Sequence, residues 1–144
     1  MIRIAHVNKT AAVEGIKIYC GRSHGDLKAS PVRNPFYAIP GQPGATLPDY
    51  RKWLAKAMLS PKSPQAQEIQ RIKKLAQAGD VVLTCWCHDS RTCHCSVIKQ
   101  VVEGELEQDA VAAALVEVQS PVAVDKAQAK YKLLHGLHPL HIVR

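Results

Sequence analysis

The chain has 144 residues, a formal charge of +7 and an apolar content of 47 %. That length suits one domain burying roughly two-thirds of the surface its unfolded form would expose. The composition excludes a disordered, collagen-like or low-complexity chain.

Charge is unevenly spread. Residues 1–74 hold thirteen Lys/Arg against four Asp/Glu, a balance of +9, whereas residues 75–144 hold six against eight, a balance of −2. A basic half favours an anionic partner, phosphate above all, although the charge forms no compact run and also fits a solvated surface. Met1 to Thr10 is polar, broken by Arg3, His6 and Lys9, and has no apolar leader segment. The longest nearly uncharged apolar run, Ala110 to Val116, is too short to span a bilayer. A cytoplasmic location without membrane contact is therefore expected. Thiols stay reduced there, which favours metal or catalytic roles for the cysteines over disulfides.

In chain order, Gly15 to Cys20 alternates and ends at Gly21, as a strand entering a tight turn does. Gly21 to Thr46 follows, irregular and broken by Gly25, Gly41, Gly44 and four prolines. Loops this long are uncommon in compact domains unless functional or disordered, and Arg22, His24, Lys28, Arg33 and Asn34 make binding credible here. Leu47 to Met58 carries apolar residues at helical spacing, with Arg51, Lys52 and Lys56 off the stripe. Ser63-Pro64 supplies a cap and a first-turn proline for a second helix, which Gly79 ends. Asp80 to Trp86 is the second predicted strand.

Between Cys85 and Cys95 the chain reads CWCHDSRTCHC, placing four of five cysteines and two of seven histidines within eleven residues. Beyond it, Val97, Ile98, Val101, Val102 and Leu106 mark a helix opening near Ser96, and Leu106 to Val118 is also helical in composition. Ser120-Pro121 precedes a last predicted helix, Ala127 to Leu134, and a tail bearing His135, His138 and His141. Pro139 breaks any single helical face there, so packed or solvated histidines are expected rather than ligands.

Both notable loops leave the carboxyl end of a predicted strand. If the two strands are parallel neighbours, the loops face one crevice, where open α/β sheets bind ligands. The intervening helical material is long enough for the crossover such pairing requires. Gly21 then allows close backbone approach, and Arg22 offers a planar fork for phosphate or carboxylate. Cys93 and His94 precede a helix, whose amides and dipole favour a thiolate, with His94 or His88 as acid or base.

Three readings of the cysteines stay open. Zinc takes four Cys/His donors, but C-x-C spacing is tight and strand alternation would send Cys85 and Cys87 to opposite faces. A mixed site of Cys87, Cys93 and a histidine suits a metal better than four cysteines. Alternatively, one thiolate is a catalytic nucleophile partnered by His94 or His88. Or the cysteines fill core space, with Cys85 and Cys20 the best candidates.

The order I-Y-C-G-R (Ile18 to Arg22), R-N-P-F (Arg33 to Phe36), Y-x-x-W-L (Tyr50 to Leu54) and C-W-C-x5-C-H (Cys85 to His94) resembles the domain of unknown function 4326 family. That family is found largely in bacteriophages and bacteria. The resemblance covers roughly Ile4 to Leu106. It implies a small Rossmann-like α/β fold and points to Gly21, Arg22, Asn34, Pro35, Phe36, Cys85, Cys87, Cys93 and His94. It also marks departures: Arg33 for a usual glycine, Cys20 for an aliphatic residue, and Cys95-Ser96 for a Gly-Asp pair. The shared core is then Cys87, Cys93 and His94, with Asp89 a substitute for the lost acid.

The sequence thus predicts a single α/β domain over residues 1–144, with a small Rossmann-like sheet and flanking helices. A family-like core covers about 4–106 and a helical C-terminal extension about 107–144. The expected function is a small enzyme-like domain that binds a nucleotide or related phosphorylated ligand. Gly21, Arg22, Arg33 and Asn34 would hold the ligand, with Cys87, Cys93 and His94 as catalytic groups or, alternatively, as ligands of a metal such as zinc. Transfer or hydrolysis is the broad reaction class. The alternative is a zinc-stabilised, non-enzymatic nucleic-acid-binding module of phage or bacterial origin, against which the sparse aromatics weigh. The sequence decides neither enzyme nor oligomeric state.

Overall fold

The computed structural model of the protein describes residues 1–118. The predicted helix at Ala127 to Leu134 and the residues His135, His138 and His141 lie outside them.

A three-stranded, wholly parallel sheet in the order β1-β3-β2 organises the fold. The central strand β3 (Val81–Cys85) reads VVLTC and is buried at every residue, as a strand flanked and covered on both faces must be. β2 (Ile16–Tyr19) lies on one side in register Ile18↔Leu83, and β1 (Ile2–His6) on the other with Ile4↔Leu83. Sequence reasoning missed β1 because Arg3 and His6 made the N-terminus look polar. Its IRIAH pattern does alternate, and Ile2 is buried while the rest of this edge strand is half-buried. A single 3-10 turn over Val7–Lys9, rather than a helix, carries the chain out of β1 toward β2.

Two helices connect β2 to β3 and supply the crossover. α1 (Leu47–Met58) buries Tyr50 and Leu54, and Arg51, Lys52 and Lys56 stay exposed. α2 (Pro64–Ala78) buries Ala66, Ile69 and Ile72. Ser63 caps it as predicted: its hydroxyl accepts from the Ala66 amide (3.0 Å) and donates to the Ala57 carbonyl (2.7 Å), tying α2 to the end of α1. Ser63→Ala is expected to cost about 1 kcal/mol in chemical denaturation, by losing the cap. α3 (His94–Val118) follows the Cys/His loop and starts two residues earlier than the apolar stripe indicates.

The core joins Ile2, Ile18, Val81 and Leu83 of the sheet to Tyr50, Leu54, Ile69, Ile72, Val97, Ile98 and Val102 of the helices. The long Gly21–Thr46 segment is pinned to that core. Val32 is fully buried within it, and its carbonyl accepts the Tyr50 hydroxyl at 2.7 Å. The chain divides into two compact units, Met1–Leu106 and Glu107–Arg144, and everything described below belongs to the first. No helix among the described residues is long and apolar enough to cross a membrane.

Candidate metal centre

Because β2 and β3 are parallel neighbours, the chain leaves both at the same edge of the sheet. Gly21 and Arg22 emerge there beside Cys85, Trp86 and Cys87, and the first turn of α3 brings Cys93 to Cys95 under them. A cavity of about 320 Å³ opens between these loops. Cys85, Cys87 and His94 contribute to its lining, with Gly21, Arg22, Asn34 and Phe36 among the other walls. The crevice expected from the sequence is therefore formed.

His94 is the best-defined group in it. The ring is buried, and Nε2 lies 2.6 Å from the Cys20 carbonyl oxygen. A carbonyl only accepts, so Nε2 carries a proton, and Nδ1 faces Cys93 Sγ, 3.7 Å away. Tyr50 packs edge-on against the ring at 5.4 Å and fixes its plane. A histidine that donates one nitrogen to a carbonyl and offers the other is arranged as metal ligands are.

The sulfurs complete two donor sets. Cys87, Cys93 and His94 have their ligand atoms within 4.8 Å of one another, and so do Cys85, Cys93 and Cys95. A tetrahedral zinc with Zn–S of about 2.3 Å and Zn–N of about 2.0 Å separates a sulfur and a nitrogen by roughly 3.6 Å. The Cys93–His94 spacing matches that edge. The Cys85 and Cys93 sulfurs are 2.9 Å apart, well beyond a disulfide bond of about 2.05 Å. The described residues can thus hold a metal ion.

Cys85 and Cys87 do not part to opposite faces as strand alternation predicts. β3 stops at Cys85 and the chain turns at Trp86, so the two thiols interact directly. Cys95, which the family comparison demotes, is fully buried in the same cluster, and Cys20 touches it. Both also belong to the hydrophobic core, the role that sequence suggested for Cys20.

Electrostatics divides the sulfurs. Hydrogen bonds from Cys85, then Cys87 and Cys95, hold the Cys93 thiol far below its ordinary pKa against the opposing effect of burial. Its sulfur also accepts the Cys95 amide at 3.4 Å, in the first turn of α3, where the helix dipole favours a thiolate. Cys87 is pushed up by Cys85, Cys93 and burial, and Cys95 by Cys20, Cys85 and Cys93. Burial opposes charge on His94, yet the Cys93 sulfur and the Cys20 carbonyl outweigh it and raise its pKa. The neighbouring thiols thus pull apart, with Cys93 and Cys85 favoured as thiolates and Cys87 and Cys95 as thiols.

A family model described as domain of unknown function (DUF4326) matches residues 3–104. The chain belongs to the DUF4326 family. No curated protein and no solved structure matches it. The matched span takes in the sheet, α1, α2 and the start of α3, so the cavity is built entirely from the DUF4326 domain.

The remaining predicted residues of the DUF4326 domain are placed unequally. Arg22 lines the cavity, but its Nε and Nη2 donate to the carbonyls of Asn34 (3.1 and 2.9 Å) and Phe36 (3.0 Å), and its guanidinium stacks on Tyr37 at 4.1 Å. It fastens the loop at the cavity's edge. Asn34 lines the cavity beside it, its Oδ1 accepting the Phe36 amide and its Nδ2 donating to Thr46 Oγ1. Arg33 is exposed, donates to the Ser30 carbonyl and is not part of the lining. Asp89 is likewise taken up locally: it accepts the Arg91 amide and pairs with the Arg91 guanidinium. His88 stacks on His6 at 4.8 Å and does not line the cavity, which leaves His94 as its histidine among the described residues.

Gly21 is needed for a reason the sequence did not indicate. A Cβ there would lie 2.5 Å from the Tyr19 hydroxyl and 2.7 Å from its ring carbon, so the tyrosine, rather than a ligand, occupies the space. That hydroxyl donates to the Arg22 carbonyl and accepts the Trp86 indole N–H at 2.8 Å, bracing both strand exits. Gly21→Ala must displace the ring, and a loss of roughly 1–3 kcal/mol is expected. Thermal unfolding of the purified variant checks it; unchanged stability would contradict the packing described.

Proposed function

We propose that this domain is a small metal-dependent enzyme that binds a nucleotide or related phosphorylated ligand. A zinc ion held by Cys87, Cys93 and His94 would lie at the floor of its cavity. The observation that carries the reading is the cavity's make-up. Cys87, His94 and Arg22 line it, and no Asp or Glu does among the described residues. Gly44, Ala45 and Thr46 of the lining lead directly into α1, and His94 opens α3, so two helix N-termini add positive potential. A volume near 320 Å³ is at the small end of ligand pockets.

Two thiolates and an imidazole are a soft, borderline donor set that suits zinc. Three protein ligands would leave a fourth position for water or substrate, and Cys87 and His94 both line the cavity. Bound there, zinc supplies Lewis acidity and a water acidified toward neutral pH. The chain's own groups do the rest. Arg22 and the two helix starts orient the anion, Asn34 and Phe36 shape the wall, and the Cys20 carbonyl keeps the proton of His94 on Nε2. Hydrolysis or group transfer at the sugar or phosphate of the ligand is the reaction class.

Calorimetric titration of zinc-loaded protein with a panel of nucleoside mono- and diphosphates, nucleosides and inorganic phosphate tests this. Phosphorylated members are expected to bind, and Arg22→Ala is expected to weaken them at least tenfold, about 1.4 kcal/mol. Circular dichroism would establish that the variant's loop stays folded. Equal affinity for nucleosides and nucleotides, or no binding by any member, would overturn the phosphate reading.

A further inference from the structure

Resting on the reading of the cavity as a nucleotide site, we infer that the Trp86 indole is the stacking platform for the base of a single nucleotide, while Arg22 serves its phosphate.

Trp86 combines exposure with immobility. It lines the cavity and keeps 37 % of its surface exposed, although tryptophan is highly buried on average. Its N–H donates to the Tyr19 hydroxyl at 2.8 Å, which fixes the plane of the ring. His24 packs against the indole, tilted, at 4.5 Å, and His6 meets it edge-to-face at 5.8 Å. His6 is in turn stacked on His88 at 4.8 Å. None of these three histidines lines the cavity, so they hold the indole without entering it. A side chain fixed in this way has little rotamer freedom left to lose, and stacking on it is not offset by the cost of ordering it.

Bracing the strand exits does not account for the ring. Tyr19 engages only the polar N–H edge, and the apolar body of the indole borders the cavity. Phe36, Ala38 and Ile39 line the same cavity, and Ile39 is 44 % exposed, so further apolar surface stays open there. A phosphate group calls for none of it. An aromatic base has apolar faces that stack on an aromatic side chain and a polar rim that takes hydrogen bonds. Gln42 and Thr92 add polar groups to the lining that suit such a rim. A cavity near 320 Å³ takes one base rather than several. Trp86 also stands between Cys85 and Cys87 in the chain, so a base on its ring brings the sugar and phosphate of the ligand beside the Cys/His cluster.

Calorimetric titration of the full-length chain, with zinc present, compares adenosine monophosphate, uridine monophosphate and ribose phosphate. At least one nucleotide is expected to bind roughly tenfold or more tightly than ribose phosphate. That margin is expected to vanish in Trp86→Ala and to survive largely in Trp86→Phe, which keeps a ring. Should Trp86→Ala fail to fold, fluorescence decides. In Trp53→Phe, which leaves Trp86 as the sole tryptophan, the nucleotide is expected to quench the emission and ribose phosphate to leave it unchanged. Ribose phosphate bound as tightly as both nucleotides, a margin that Trp86→Ala retains, or nucleotide binding without quenching would overturn the base platform and leave the phosphate reading standing. No binding by any of the three would overturn both.

Discussion

Cys93→Ser is expected to emerge from purification without stoichiometric metal and to unfold well below the unsubstituted protein. Cys93 is the donor both triads share, so its loss disables every arrangement of ligands the cluster offers. Removing a partner that merely orients a ligand lowers metal affinity roughly 10–100-fold, and removing the shared ligand exceeds that. Metal binding is coupled to folding, and structural zinc contributes on the order of 10 kcal/mol in small peptides that cannot fold without it. Here an independent core of sheet and helices carries part of the stability, so a loss of several kcal/mol is expected. Metal analysis and thermal scans, run with and without added zinc, check both halves. A Cys93→Ser protein that keeps its metal and its melting temperature would refute the assignment.

The second large effect belongs to Tyr50. Its side chain is fully buried, stacks near Trp53 at 5.7 Å, sits edge-on to His94 and ties the Val32 carbonyl into place. Burial, and then the sulfurs of Cys20, Cys95 and Cys93, push its pKa above the ordinary phenol value, so it stays a neutral donor at any working pH. Tyr50→Ala opens a cavity worth roughly 3–5 kcal/mol and frees the imidazole to turn. Tyr50→Phe keeps the ring and strands only the Val32 carbonyl, at about 1–3 kcal/mol. Zinc affinity separates the roles. It is expected to drop about tenfold or more in Tyr50→Ala at a temperature where that variant is folded, and to stay near the original value in Tyr50→Phe. Equal affinities in all three proteins would make Tyr50 a core residue with no positioning role.

How much of this was legible follows from where the signals lie. α1 and α2 were readable to the residue because apolar spacing, Ser63-Pro64 and Gly79 are local signals in covalent sequence. The length of chain between β2 and β3 permits their parallel pairing without requiring it, and the shared cavity depends on that pairing, which the structure has. β1 was missed, since an edge strand with Arg3 and His6 shows little of its burial in composition. The same local logic misled at Cys85 and Cys87: alternation governs a strand only while the strand lasts, and β3 ends at Cys85. Cys20 was set aside as a strand-end residue because its partners lie more than sixty positions away. Only the register of β2 on β3 brings its carbonyl to His94 and its thiol to Cys95. Arg22 lines the cavity, but its hold on the Asn34 and Phe36 carbonyls is a product of how the loop folds back. Residues far apart in sequence become a site through topology, and no spacing rule contains that information.

X-ray absorption at the zinc edge of the purified, zinc-loaded protein tests the central claim most directly. The account predicts stoichiometric zinc bound mainly by sulfur at about 2.3 Å, with a nitrogen shell near 2.0 Å bearing the multiple-scattering pattern of an imidazole. Zinc coordinated only by oxygen and nitrogen, or protein that retains no zinc after gel filtration, would contradict a metal centre built on Cys87, Cys93 and His94.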